Sequence, residues 1–325
     1  MKKFLALLLA VLMVLSMAAC GAKEDNSAND SANAEKPYIA MIALGYGHQF
    51  WQAVKQGAEQ AAEEYGVTIT FEGPEQETMV DKQVDMLKTA IQNKPAAICM
   101  AAIDVASVYD ILNEQKAAGV PVVAFDAGLG DELPQVTVSC NNEEAGKLAA
   151  QNAAELLGGE GKIAIMGHSE TAPDAIARVE GFIKEIEANW PNIEIVDDQY
   201  ADGDQLRSAE ATKGMLLANP DIDLIYASNE GACVGAYNGM KELGVNGQVK
   251  LVGFDSSAAL KEGIRCGDIS GAITQDPVAM GYMCVEAAVK LMNGEDLGTT
   301  FIDAGFAWYN ADNMDSPEIA PCLYD

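Results

Sequence analysis

From Tyr38 onward the chain alternates short, nearly continuous apolar runs with longer segments whose apolar positions recur at helical spacing. The first unit is a strand at 38–44, a glycine-broken loop carrying His48, Phe50 and Trp51, and a helix with Val54, Ala58, Ala61, Ala62 and Tyr65 on one face. Gly66 supplies its stop. Further strands are predicted at 67–72, 97–101 and 122–125, with helices at 78–92 and 104–118. A second set follows, with strands at 162–166, 193–199, 223–227, 250–252 and 270–274 and helices at 143–157, 175–188, 206–218, 232–243 and 258–266. Strands separated by helices imply parallel pairing through right-handed crossovers, so one α/β architecture is expected twice. Segment 136–140 reads as a strand with no evident partner in either set, hence as a crossover and a hinge. A helix at 277–292, an extended aromatic stretch at 299–309 and a helical or irregular tail at 317–324 complete the pattern.

The amino terminus departs from this rhythm. Lys2 and Lys3 precede an apolar run, Phe4 to Met17, that ends in Met17-Ala18-Ala19-Cys20. This is the layout of an export signal, because the run is shorter than the ~20 apolar residues that span a bilayer. The closing tetrapeptide resembles the bacterial lipobox, which implies a signal peptide at 1–19 and lipidation of Cys20. Residues 20–36, rich in Ala, Asn, Asp, Ser and Glu without an apolar period, read as a disordered tether. The expected protein is extracytoplasmic and held to the cell membrane by its lipid anchor alone.

Composition narrows the choice of function. At 325 residues, 49% hydrophobic and 21% charged, the chain can bury a large core divided between two domains. A formal charge of -29, from 20 basic and 49 acidic residues, excludes nucleic-acid binding and favours a strongly hydrated surface. The seven cysteines include no C-x-x-C pair, and those other than Cys20 read as small buried thiols rather than a disulfide framework. Two distant histidines offer no ligand spacing, so neither a metal nor another cofactor is expected.

In parallel sheets the loops at strand carboxyl ends face one cleft. Here the first set brings His48, Phe50, Trp51, residues 73–76, Asp104 and Asp126. The second brings His168, Ser169, Glu170, Asp202, Asp204, Asn229, Glu230, Asp255, Ser256, Gln275 and Asp276. Aromatic faces ringed by Asp, Asn and Gln suit a carbohydrate, whose C–H faces are apolar and whose hydroxyls both donate and accept. The same residues have plainer uses: about half of the Asp and Asn after strands would be helix caps or turn formers alone. Phe50 and Trp51 can be core, and Arg178 taken by itself reads as a surface ion pair. Enzyme motifs fit poorly. A dinucleotide fingerprint opening at Gly45 and Gly47 would need its third glycine at Phe50, and the glycines at 158–161 lack the Gly and Ser/Thr of a phosphate loop at Leu156 and Ile163. No nucleophile elbow stands out.

Several segments, in order, resemble the ribose-type (type I) periplasmic binding proteins of ABC sugar importers. They are His48-Gln49-Phe50-Trp51, Val120-Pro121-Val122-Val123-Ala124-Phe125-Asp126, Arg178-Val179-Glu180-Gly181-Phe182, Ala227-Ser228-Asn229-Glu230, Val252-Gly253-Phe254-Asp255 and Thr274-Gln275-Asp276-Pro277. The resemblance implies two Rossmann-like parallel-sheet lobes joined by a three-crossover hinge near Cys140, Gln275 and Asp303. The lobes would be 37–139 plus 276–302, and 140–275 plus 303–325. It further implies that Phe50 and Trp51 sandwich a sugar ring while Asp126, Arg178, Asn229, Asp255 and Gln275 hold its hydroxyls; His48, in the same loop as the aromatics, is expected to bind ligand beside them. Ligand would draw the lobes shut, and the closed monomer would dock on ABC permease subunits.

Three departures argue against ribose itself: His48 and Ala101 stand where the ribose binders have Asn, and Ala127 where they have Arg. A hexose, deoxysugar, cyclitol or nucleoside remains open. Two other readings are carried forward: an exported sugar-active enzyme using Asp202, Asp204 or Glu170, and a sensor presenting its closed form to a receptor.

Overall fold

The computed structural model describes residues 36–130 and 132–324. The expected export signal, Cys20 and the tether up to residue 35 lie outside them. Among the described residues no helix is long and apolar enough to cross a membrane.

Six strands form the first sheet: β1 (Tyr38–Ile42), β2 (Thr68–Glu72), β3 (Ala97–Met100), β4 (Val122–Phe125), β5 (Val136–Ser139) and β11 (Phe301–Asp303), in the order β11-β5-β4-β3-β1-β2. The second holds β6 (Glu160–Gly167), β7 (Asn192–Tyr200), β8 (Leu224–Ala227), β9 (Lys250–Phe254), β10 (Gly271–Gln275) and β12 (Phe306–Tyr309), in the order β12-β10-β9-β8-β6-β7. The two orders are the same once β6 is matched to β1. All pairings are parallel except β10 with β12.

Helices cover both faces of each sheet, which is why the strands read as continuous apolar runs rather than alternating ones. On the first sheet, Ile39 and Met41 of β1 face α1 (Gln49–Tyr65) and α9 (Pro277–Met292), while Ala40 and Ile42 face α2 (Val80–Gln92) and α3 (Val105–Ala117). On the second, Ile163 and Ile165 face α4 (Asn142–Leu157) and α5 (Pro173–Asn189). Ala164 and Met166 face α6 (Gln205–Ala218), α7 (Glu230–Leu243) and α8 (Ala258–Cys266). The chain passes between the sheets three times, after β5, after β10 and between β11 and β12. Hydrogen bonds tie these passages together: Cys140 Sγ lies 3.3 Å from Gln275 Oε1, and Ala304 N–H donates to Ser139 O at 3.0 Å.

The structure corrects the sequence reading in four places. Segment 136–140 is no lone crossover, because β5 is paired on both sides, with β4 and β11. The stretch at 299–309 is two strands, one in each sheet, divided at Gly305, whose φ is +87°. Phe50 and Trp51 belong to the first turn of α1 rather than to the loop before it. Of the cysteines, Cys99, Cys140, Cys233 and Cys284 are buried, but Cys266 is exposed and Cys322 partly so.

Candidate ligand-binding site

The site is assembled from strand carboxyl ends and the helices that follow them. Asp126 follows β4 and Asp255 follows β9, both with positive φ, at +54° and +75°. A non-glycine residue accepts that conformation only where the fold holds it there, and such positions gather at functional sites. Arg178 is placed by the close approach of α4 and α5. A Cβ on Gly146 would lie 2.1 Å from Arg178 O and one on Gly181 2.2 Å from Glu143 O, so only glycine fits at either.

Arg178 is 2% exposed, so the surface ion pair suggested by its sequence is overturned. Its Nε donates to Asn142 Oδ1 at 2.7 Å and its Nη1 to Ser228 O at 3.0 Å, while its Cζ lies 3.9 Å from the centroid of the Phe254 ring. Nη2 is left facing two carboxylates, 3.7 Å from Asp174 Oδ2 and 3.9 Å from Asp126 Oδ1. Burial disfavours its charge, but Asp174 and the other surrounding acids more than compensate and hold it protonated.

Asp255 is fully engaged: Oδ1 accepts from Gln275 Nε2 at 2.8 Å and Oδ2 from the Glu230 N–H at 2.9 Å. Burial still raises its pKa, with Arg178 and these hydrogen bonds pulling back. Asp126 is raised further, first by burial and then by the charge of Asp174. At Asp174 burial acts upward, but His168 and Arg178 outweigh it and keep the carboxylate ionised. Oδ1 of Asp126 and Oδ1 of Asp174 are both buried without a hydrogen-bond partner.

Phe50 and Trp51 are 4% and 2% exposed and belong to the core of the first sheet as well as to the site. Their centroids lie 4.9 Å apart at 83°, so no sugar ring can enter between them. The expected sandwich is replaced by a single aromatic wall, which Trp51 extends edge-on to Phe125. Trp51 Nε1 donates to Glu77 Oε1 at 2.9 Å, and His48 Nδ1 lies 3.7 Å from the same oxygen. Burial lowers the His48 pKa, but Glu77, Glu230, Asp255 and Asp204 together raise it above its ordinary value.

The structure thus brings His48, Phe50, Trp51, Asp126, Arg178, Asn229, Asp255 and Gln275 around one central compartment. Glu77 and Asp174 line it too and were missed. Glu77 lies one residue beyond the 73–76 loop considered, and Asp174 carried a usable signal as the i−4 partner of Arg178. A buried chain from Ser228 Oγ through His168 (2.8 Å to Nδ1, 3.0 Å from Nε2) to Asp174 was also missed. Its order is that of a hydrolase triad, but Ser228 is 0% exposed, so it orients Asp174 and cannot act as a nucleophile.

Several other candidates are caps. Asp104, Asp204 and Asp276 accept from the N–H three residues on, as does Asn229, whose amide nitrogen remains available to the cleft. Asp202 pairs with Arg207, and Ser256 bonds to Thr274 and Tyr324.

The two sides of the cleft are locked against each other. Glu230, at the start of α7, accepts from the N–H groups of Gln49 and Phe50 at the start of α1, at 3.4 and 3.3 Å. Gln49 Oε1 in turn accepts from the Ala258 N–H at the start of α8, at 2.9 Å. Each lobe caps a helix of the other. The conformation is accordingly closed, with a central volume of about 20 Å³ that would hold a water but lies far below the ~300 Å³ at which small-molecule pockets begin.

Comparison with known proteins places this geometry among relatives. Residues 39–296 match the family model described as a periplasmic binding protein domain. The chain is 24% identical over 302 residues to the ribose import binding protein of Bacillus subtilis, covering 92% of this chain and 96% of the relative. It is 29% identical over 262 residues to the D-apiose import binding protein of Actinobacillus succinogenes, covering 80% of each. An ABC transporter solute-binding protein from Agrobacterium vitis, solved with bound D-fucose, superposes with a TM-score of 0.84 at 32% identity, over 88% of this chain and 100% of that one.

Proposed function

The chain belongs to the periplasmic binding protein family, and we propose that it captures a sugar or sugar-like ligand between its two lobes and delivers it to an ABC permease. The observation that carries this reading is the make-up of the central compartment. An aromatic wall, Phe50 and Trp51, faces Arg178, Asn229, Asp255 and Gln275, with Asp126 and Asp174 each offering a buried oxygen that no protein group satisfies. A hydroxylated ring supplies the donors those oxygens lack, and its C–H face covers the aromatic wall. The relatives named for ribose and apiose and the neighbour holding D-fucose support the ligand class. Ribose itself is disfavoured by His48, Ala101 and Ala127.

In this reading the ligand draws the lobes together by touching both, with the central compartment wider than its about 20 Å³ here, and the caps exchanged through Glu230 and Gln49 add to closure. An affinity near ~1 μM corresponds to roughly -8 kcal/mol, enough to shift a two-state closure strongly. Lipidation at Cys20 would hold the monomer at the outer face of the membrane. Replacing Cys20 by Ser is expected to release it into the soluble fraction, and retention in membranes would remove the anchor from the proposal.

The enzyme reading loses its residues, since Asp202 and Asp204 are committed to an ion pair and a helix cap and Glu170 is exposed, outside the lining of the central compartment. The direct test is a thermal-shift screen against pentoses, hexoses, deoxysugars, cyclitols and nucleosides, because a ligand of the native state raises the melting temperature by mass action. A rise with one class is expected; a flat response to all of them would refute sugar binding.

A further inference from the structure

Asp126 and Asp174 form a wall common to two spaces. One is the central compartment. The other is a cavity of about 500 Å³ on the hinge side, walled by Ala127, Leu129 and Pro134 from the loop after β4, by Ala177 of α5, and by Thr300 and Phe301 at β11. Its volume falls within the range of small-molecule sites, ~300–1,000 Å³.

Three features make it more than a crevice. Both wall carboxylates are more than nine-tenths buried, at 6% and 5% exposure, and each keeps one oxygen without a hydrogen bond, that of Asp126 having only Arg178 Nη2 at 3.9 Å. A buried acceptor left unmade is costly, so two of them on one wall point to an occupant that donates to both. Secondly, Phe301 is 42% exposed and lines this cavity, offering an aromatic face to a second ring. Thirdly, the cavity abuts one of the passages between the sheets, Ser139 to Asn142, and the start of β11, the strand that leads into another. Atoms near a hinge axis travel little when lobes rotate, so this space persists on opening, whereas the central compartment widens and narrows.

We propose that the binding site runs from the central compartment past Asp126 and Asp174 into the hinge-side cavity, and that its preferred ligand is a glycoside, a sugar linked to a second ring, rather than a free monosaccharide. With the lobes parted enough to widen the central compartment beyond its about 20 Å³ here, the first ring lies on the Phe50 and Trp51 wall. Hydroxyls flanking the linkage donate to the unpartnered Oδ1 atoms, and the second ring lies among Leu129, Pro134 and Phe301. The inference rests on the sugar-binding reading above and narrows its ligand class.

The experiment is titration calorimetry on the full-length chain with D-glucose, D-galactose and D-xylose, each beside its phenyl β-glycoside and its β-linked disaccharide. At least one glycoside is expected to bind about tenfold or more tightly than its parent sugar. Ala177→Phe and Thr300→Tyr, which fill the cavity from opposite sides, are each expected to bring that ratio to about unity; Thr300 is exposed, so its variant tests the idea even if Ala177→Phe fails to fold. Parent sugars that bind as tightly as their glycosides, or a ratio unchanged in a folded variant, would overturn the extended site and leave sugar binding standing. No binding by any member of the panel would overturn both.

Discussion

In each lobe the third strand from the β11 or β12 edge ends in an aspartate of positive φ, Asp126 after β4 and Asp255 after β9. The backbone surroundings match as well: Asp126 N–H donates to Val138 O of β5, and Asp255 N–H to Ile273 O of β10. Yet the side chains meet opposite conditions. Both Asp255 oxygens are bonded within the second lobe, and its carbonyl also accepts from Tyr309 Oη at 2.7 Å. Asp126 has one oxygen with no hydrogen bond, which faces an arginine of the other lobe at 3.9 Å. The same turn therefore holds carboxylates in two conditions: the second lobe has a finished anchor, while the first has an acceptor with no hydrogen bond, open to completion by the proposed ligand. A ligand that engages the second lobe first would meet a prepared surface, and closure would then bring Asp126 to it.

The comparison depends most on Arg178, which neutralises carboxylates from both lobes. Arg178→Met is expected to cost about 3–5 kcal/mol in urea unfolding, because it strands Asp174 and Asp126 as buried charges without their partner. A loss below about 1 kcal/mol would show that the carboxylates are balanced by something else.

Asp255 comes next. Asp255→Ala leaves Gln275 Nε2 and the Glu230 N–H without their acceptor, and an expected loss of about 2 kcal/mol should appear without any ligand present. Asp126→Asn should separate the two aspartates cleanly. It removes a buried acid that burial and Asp174 already hold partly against ionisation, so unliganded stability should stay within about 0.5 kcal/mol of the parent or rise. Ligand affinity should nevertheless fall about tenfold or more. Equal stability losses in the two variants would erase the distinction between finished and unfinished anchors.

Much of this fold was legible because each strand is buried on both faces and each helix on one. Periodicity therefore located the two sets of elements to within a few residues. What it could not show was pairing across sequence distance. Strand β5 seemed partnerless because its outer neighbour, β11, lies more than 160 residues further on. The site was legible where chemistry sat at strand ends, as for Asp126, Asp255 and Gln275. It was illegible where burial decided the role: a single sequence cannot reveal that Arg178 points inward over Phe254, or that Asp204 and Asp276 are spent on capping.

The smallest expected effect concerns the interface between the lobes and is read through pH. Asp126, Asp255 and Glu230 are buried between the lobes, and burial raises the pKa of each above its ordinary value, most at Asp126; at Glu230 the charge of His48 opposes this. His48 is raised in turn by Glu77, Glu230, Asp255 and Asp204, against its own burial. All four groups bind protons more tightly in this conformation than in the unfolded chain. Their contribution is therefore fully present below the ordinary carboxylate pKa of about 4 and is lost as pH rises through the shifted values. Asp174, lowered by His168 and Arg178, acts oppositely, but only as pH falls below that same range. The melting temperature of the unliganded protein is thus expected to fall as the pH rises above about 4. Repulsion within a surface of net charge -29 has the same sign, so the slope alone does not identify the site. Glu230→Gln does: it removes the titration while keeping an oxygen for one of the two N–H groups, Gln49 or Phe50, which bond to different Glu230 oxygens, and should flatten the slope at a cost of about 1 kcal/mol at pH 7 for the bond lost. A slope unaltered in that variant would place the pH dependence on the surface and leave the exchanged helix caps as plain hydrogen bonds.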